Sequence, residues 1–208
     1  MFDIFINWSG LINIISGMSL LAFWWLFAMV LPYRQMSSTL AILVKNRYWA
    51  IINLLGVCGA LLGVLGLSGL YIVQIEQVGI IGLIGFFLST CGTTLLFGPL
   101  LWDTIIWPIL VSYDPKLLDF QGPIYQSKTF IPFFITAGVI YSLGNCVLGI
   151  LTAKVGVLPA SGGVLLALGA PLFGMGSMFG KFQVIPRTIG VSLLSIGLMW
   201  LGFSMWII

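Results

Sequence analysis

Long apolar runs, separated by short polar connections, make up most of the chain. Each holds more than twenty residues, and at a rise of about 1.5 Å per residue this is enough for a helix to cross the roughly 30 Å of a bilayer's hydrocarbon core. We therefore predict an all-α polytopic membrane protein with one transmembrane domain over residues 1–208, a bundle of six helices. The predicted helices cover about residues 10–31, 49–73, 78–101, 129–152, 155–178 and 186–207.

Composition agrees with this assignment. Hydrophobic residues make up 60% of the chain and charged residues 6%, whereas about a quarter of the residues of soluble domains are charged. The chain begins Met1-Phe2-Asp3, with neither a basic segment nor a small-residue cleavage site after the first run. Since a secretory signal has both features, we expect the first helix to stay in the mature protein.

Basic residues concentrate on alternate connections, which predicts an orientation. The connections between these, together with the N-terminal segment, contain Lys154 as their only basic residue, along with Asp3 and Glu76. Because Lys and Arg accumulate on the cytoplasmic side of membrane proteins, we expect the basic connections in the cytoplasm and both termini outside, most simply at the cell membrane. The connections predicted to be cytoplasmic carry Arg34, Lys45 and Arg47, then Lys116 and Lys128, then Lys181 and Arg187.

Small residues recur at spacings of three and four in the second to fifth runs, which places them on one face of each helix. Burying apolar side chains drives little association in lipid, so helices there depend on the close backbone approach that small residues permit. We predict packing seams, with a substrate cavity lined by the same faces as the alternative. The seam residues are Gly56, Gly59, Gly63, Gly66, Gly82, Gly85, Ser89, Gly92, Gly138, Ser142, Gly149, Gly163, Ala167, Ala170 and Gly174.

The first helix differs, because bulky residues occupy nearly all of its faces. We therefore expect it at the periphery, with Trp24, Trp25 and Phe27 as a docking face for other membrane protein subunits. Membrane lipids are the other expected partner. The net charge of +3 is spread over the connections and does not favour nucleic-acid binding.

Two polar residues are candidates for ligand binding. Asp103 continues the small-residue stripe of the third helix, so in an unbroken helix it would face the interior and could bind a cation or carry a proton. The Gly98-Pro99 pair favours a helix end or kink before it, which would leave Asp103 at the membrane interface as a helix cap. Asn145 lies centrally in the fourth helix, where an amide usually bonds to a neighbouring helix and less often contacts a substrate.

The residue types that are missing limit the chemistry. The chain has no histidine, which excludes bis-His haem and His-based zinc proteases. Cys58, Cys91 and Cys146 lack CxxC spacing, so we expect buried packing residues without a disulfide or metal. An enzyme acting on lipids would need Asp103 to meet Asp114 and Asp119 of the third connection. We expect no enzymatic activity, no catalytic residue, no metal and no cofactor.

Two functions remain. The first is a non-catalytic integral membrane protein that serves as an accessory or structural subunit of a larger membrane complex. The alternative is a small transporter, or the substrate-binding membrane component of one, for an apolar or neutral solute held between the small-residue faces.

Overall fold

A computed structural model of the chain describes residues 2–32, 39–176 and 183–207, which are mostly helical and contain no strand. Arg34 and Lys181, used above to predict orientation, lie outside the described residues. Five helices are long and apolar enough to cross a membrane, which indicates a membrane location. They are α1 (Phe2–Val30), α3 (Trp49–Ile72), α4 (Ile75–Leu101), α6 (Phe130–Val155) and α8 (Val184–Trp206).

The predicted fifth crossing is shorter than expected, so the count of six spans is not confirmed. Its helix, α7, covers Ala160–Gly174 and has 15 residues, a rise of about 22 Å at 1.5 Å per residue. α6 continues to Val155 and ends at Gly156, whose φ of 72° is the left-handed conformation that favours glycine. Residues 177 and 178 of the predicted run lie outside the described part of the chain.

The first and third connections meet at one end of the bundle. They contain the short helices α2 (Ala41–Val44) and α5 (Trp107–Tyr113) and a 3-10 turn at Pro115–Leu118. Leu40 N donates to Leu118 O at 3.0 Å, and the side chains of Leu43 and Leu118 are fully buried. We name residues 39–48 and 114–129 together the loop end of the bundle.

The long helices and α7 form a closed ring. Going round it, the neighbours are α1, α3, α4, α6, α7 and α8, and α8 packs against α1 again. The prediction that the first helix is peripheral was therefore wrong. α1 has its own stripe of small polar residues, and these bond to the glycine face of α3: Asn13 Nδ2 donates to Gly66 O at 2.9 Å and Ser16 Oγ to Gly59 O at 2.8 Å.

Glycines bring helix backbones into contact on both sides of α6. A Cβ added at Gly144 would collide with the backbone of Ser89, and one added at Gly149 would lie 2.6 Å from Gly163 O. The two seams, α4 with α6 and α6 with α7, therefore have no room for larger side chains at these points. Of the predicted seam residues, all but Gly174 are buried.

The cysteines do not follow the expectation of burial. Cys58 and Cys91 are exposed on the surface of the bundle, and Cys146 is half-buried. A thiol behaves as a small, weakly polar group, so it is compatible with a lipid-facing position as well as with a core. The expectation came from soluble proteins, where an exposed surface faces water.

Gly79 interrupts the regular backbone of α4, with φ 56° and ψ −151°. This region is open almost exclusively to glycine. No atom lies within 4 Å of an added Cβ, so Gly79→Ala should act through the backbone alone and lower the free energy of unfolding by about 1–3 kcal/mol. The measurement is the thermal midpoint in detergent micelles. Gly63→Ala is the control, because Gly63 has a regular helical backbone and an added Cβ there would meet only Ser16 Oγ, at 3.2 Å; equal midpoints would contradict the prediction.

Candidate solute-binding cavity

The ring of helices surrounds a partly open cavity of about 480 Å³. This volume lies in the range of about 300–1,000 Å³ that is usual for small-molecule sites. Leu40 and Phe120 line it near the loop end, and Ser16, Gly63 and Leu198 line it deeper in the bundle. Its wall is mainly apolar, and all six helices of the ring contribute to it.

Asp103 lines this cavity because the helix does not end before it. The α4 backbone stays helical through Pro99 to Leu101, continues as a π-helical turn at Trp102–Ile106, and passes into α5. Gly98-Pro99 was expected to end or kink the helix, and the helix does not end there. In a π turn each backbone N–H bonds to the carbonyl five residues earlier rather than four, and such turns are frequently found at functional sites.

Two tryptophans fix the position of Asp103. The indole of Trp107 donates to Asp103 Oδ1, and Trp49 Nε1 donates to the backbone oxygen of Asp103 at 2.5 Å. Pro108 has no N–H, so it cannot donate to a carbonyl of the preceding turn, and the Trp49 indole supplies a donor there. Both indoles are buried, whereas Asp103 is only half-buried, so the carboxylate is held in place at the cavity wall.

Arg187 lies in the first turns of α8 and lines the same cavity. Its guanidinium carbon is 5.5 Å from the centroid of the Trp24 ring, a cation–π distance. Trp24 Nε1 in turn donates to Thr188 Oγ1 at 2.8 Å. Arg187 Nε is buried and has no hydrogen-bond partner among the described residues.

Arg187 was expected in a cytoplasmic connection, and its place in the cavity wall was not predicted. Its position directly after Pro186, within the predicted sixth run, was the available signal, because proline is favoured in the first turn of a helix. An arginine inside the first turns of an apolar helix needs a partner or a polar cavity.

Two buried amides also line the cavity, and each bonds to its own helix. Asn145 Nδ2 donates to Tyr141 O at 2.9 Å, and among the described residues Asn145 makes no side-chain bond to a neighbouring helix. Asn53 Nδ2 donates to Trp49 O at 2.9 Å, and its Oδ1 is buried with no partner among the described residues. Asn53 was not among the predicted site residues, although its spacing of four from Trp49 in an apolar helix is visible in the sequence.

Aromatic rings form much of the wall around Asp103. The Tyr125 and Phe130 rings lie 5.3 Å apart and Phe130 and Trp107 6.0 Å apart, both edge to face. Burial, with a smaller contribution from the charge of Asp103, raises the pKa of the Tyr125 phenol above its ordinary value. Tyr125 therefore stays neutral at physiological pH and can donate a hydrogen bond.

The predicted docking face on α1 divides between the inside and the outside of the ring. Trp24 is 4% exposed and lines the cavity together with Phe27. Trp25 is 45% exposed on the outer surface. Two of the three residues therefore do not form an outer surface, since the helix turns them toward α8 and the cavity.

The small-residue faces were predicted to form packing seams, with the lining of a cavity as the alternative, and their residues are found in both places. Gly59, Gly63 and Gly174 line the cavity, whereas Gly92 and Gly149 lie against neighbouring helix backbones. A small residue on one of these faces therefore either permits close packing or leaves space, depending on its depth along the helix.

The acidic residues of the third connection do not join Asp103. Asp114 is exposed and accepts a hydrogen bond from Lys116 N at 3.0 Å. Asp119 forms an isolated antiparallel β-bridge with Thr39 at the loop end. In the part of the chain that the structure describes, no three His, Cys, Asp or Glu side chains are grouped so that they could hold a metal ion.

No protein-family model, no curated protein and no solved structure matches this chain.

Proposed function

We propose that the chain is a non-catalytic membrane protein that binds a small, largely apolar solute, as a small transporter or as the substrate-binding membrane component of one. The observation that supports this is the cavity of about 480 Å³ inside the ring, with Asp103 and Arg187 on its wall. Ionisable residues inside a membrane are costly and usually mark a substrate or ion pathway. An apolar cavity with a few convergent polar groups is the usual form of a ligand site.

The proposal includes six spans and a cytoplasmic loop end. α7 lies in the ring between α6 and α8, and it would supply the sixth crossing together with the residues that flank it. Lys45, Arg47, Lys116 and Lys128 all belong to the connections of the loop end, and the positive-inside rule would put them in the cytoplasm. Asp103 and Arg187 would then lie in the cytoplasmic half of the membrane.

Filling the cavity tests the proposal. Gly63 lines the cavity, and the nearest atom to an added Cβ is Ser16 Oγ at 3.2 Å. Gly63→Leu should therefore fold and occupy ligand space. We would purify the chain from its own membrane in lipid nanodiscs and identify bound molecules by native mass spectrometry. Cys58→Leu is the matched control, because it adds bulk to an exposed position of the same helix.

The expected result is a small molecule bound at one per chain in the wild type and in Cys58→Leu, with at least tenfold lower occupancy in Gly63→Leu. Equal occupancy in all three proteins, or an empty wild type, would contradict the proposal. The accessory-subunit hypothesis stays a prediction that the same experiment tests, since a subunit should be recovered with stoichiometric protein partners.

A further inference from the structure

The cavity carries one acidic and one basic side chain, and this balance indicates the class of ligand. We propose that the solute is a small zwitterion with an apolar body, whose cationic group binds at Asp103 and whose anionic group binds at Arg187. The inference rests on the proposed function, because it assigns a ligand class to the same cavity.

The surroundings of Asp103 suit a cationic group. Its carboxylate accepts from the Trp107 indole and is still half-buried at the cavity wall, so it keeps capacity to accept from a ligand. Tyr125 and Phe130 also line the cavity here, within a chain of edge-to-face rings that includes Trp107. A carboxylate beside aromatic faces is a suitable arrangement for an ammonium group, which is attracted by the negative charge and by the ring quadrupoles.

The surroundings of Arg187 suit an anionic group. The guanidinium lies over the Trp24 ring, which holds it in place without neutralising it. Arg187 lines the cavity with a planar group of several N–H donors and no acceptor. A ligand carboxylate or phosphate that reached its outer nitrogens could therefore form two charge-assisted hydrogen bonds with it.

The deeper wall suits an apolar body. Leu20, Leu67, Leu194 and Leu198 line this part, and Gly63 leaves space between them. A ligand oriented by its two charged groups near the loop end would place its body there, among aliphatic side chains. Burial of apolar ligand surface contributes to affinity at this position.

The balance of charge argues against a simple ion. Asp103 and Arg187 interact electrostatically with each other, so a simple cation or a simple anion would add an unbalanced charge to this pair. An unpaired charge away from water is strongly unfavourable. A zwitterion pairs with both groups and adds no net charge to the cavity.

The test uses probes that share one body and differ only in charge: phenylalanine, phenethylamine and 3-phenylpropionate. Binding to the full chain in nanodiscs is measured by titration calorimetry and by the rise in thermal midpoint. We expect phenylalanine to bind about tenfold to a hundredfold more tightly than either single ion, as a lost charged hydrogen bond would predict. Preference for one of the ions, or no binding of phenylalanine, would overturn the assignment of a zwitterion.

Charge-removing variants give a second readout. D103N should lose the preference for phenylalanine over 3-phenylpropionate, and R187Q the preference over phenethylamine, each about tenfold or more. E76Q and R47Q are matched controls at exposed positions and should keep the wild-type order. A uniform loss of affinity for all probes in D103N and R187Q would contradict direct charge recognition. If either variant fails to fold, the order in which the wild type binds the three probes still tests the assignment of a zwitterion.

The two proposals fail in different ways. A molecule retained by the wild type and lost in Gly63→Leu, together with a wild-type preference for a single ion, would leave the binding function standing and remove the zwitterion. An empty wild type that also ignores all three probes would remove both.

Discussion

Replacing Trp24 by alanine should lower the free energy of unfolding by about 3–5 kcal/mol, the usual cost of removing a buried tryptophan side chain. The ring is 4% exposed and stacks on Phe27 at a centroid distance of 4.9 Å. It also donates to Thr188 and supports the Arg187 guanidinium. Its loss would open a cavity between α1 and α8 and leave a cation without its aromatic neighbour. The measurement is unfolding in detergent micelles followed by fluorescence of the remaining tryptophans.

Trp25→Ala is the matched control, because the neighbouring ring is 45% exposed on the outer surface. Its indole donates to Ser192 at 3.1 Å, so we expect a loss of only about 1 kcal/mol. Similar losses in the two variants would show that Trp24 does not have the buried role described. A Trp25→Ala protein that is stable but no longer co-purifies with a partner would support the docking surface on α1, now reduced to its exposed part.

Gly144→Ala should destabilise the protein by about 1–3 kcal/mol, although the same change in an open helix position favours the helix by up to about 1 kcal/mol. We expect a loss of stability instead of that gain because α4 and α6 pack closely at Gly144. An added methyl group would collide with the backbone of Ser89 and Leu88, and a backbone cannot move aside by changing a rotamer. The two helices would have to separate along the seam, losing the contacts that hold helices together in lipid.

Gly63→Ala provides the comparison, since its methyl group would meet only the Ser16 hydroxyl, at 3.2 Å. We expect a thermal midpoint at or above that of the wild type, because alanine is the better helix former. The decisive quantity is the sign of each change in the midpoint. A stabilised Gly144→Ala protein would mean that α4 and α6 do not approach as closely as described.

Hydrophobicity and the spacing of small residues predicted most of the helices of this chain. Three of the five long helices, α3, α6 and α8, lie within a few residues of their predicted bounds, because each bound is set locally, by a polar connection or by a residue such as Gly156. α4 begins near its predicted start, but the helical backbone continues past the predicted end at residue 101 to Tyr113. α1 begins at Phe2, well before the predicted residue 10, since its early polar residues Ser9 and Asn13 face inward and are buried.

The candidate site was only partly visible in the sequence. Asp103 and Asn145 attract attention because a polar residue inside an apolar run is costly wherever it lies. Arg187 and Asn53 stand near the ends of their runs. Pro186 before Arg187 and the spacing of four between Trp49 and Asn53 are visible in the sequence, but neither tells whether the side chain lines a cavity.

What the sequence determined by itself is the helical character of the chain, the length and apolarity that suit its helices to a membrane, and the faces on which the helices pack, since these depend on residue type and on spacing along one helix. The tertiary structure decided that the helices close into a ring, that the helix of Asp103 continues past Pro99, and that Asp103, Arg187 and Asn53 line the same cavity. These outcomes depend on residues far apart in the chain, such as Trp49, whose indole bonds to the carbonyl of Asp103. Periodicity within one helix carries no information about which other helix will lie beside it.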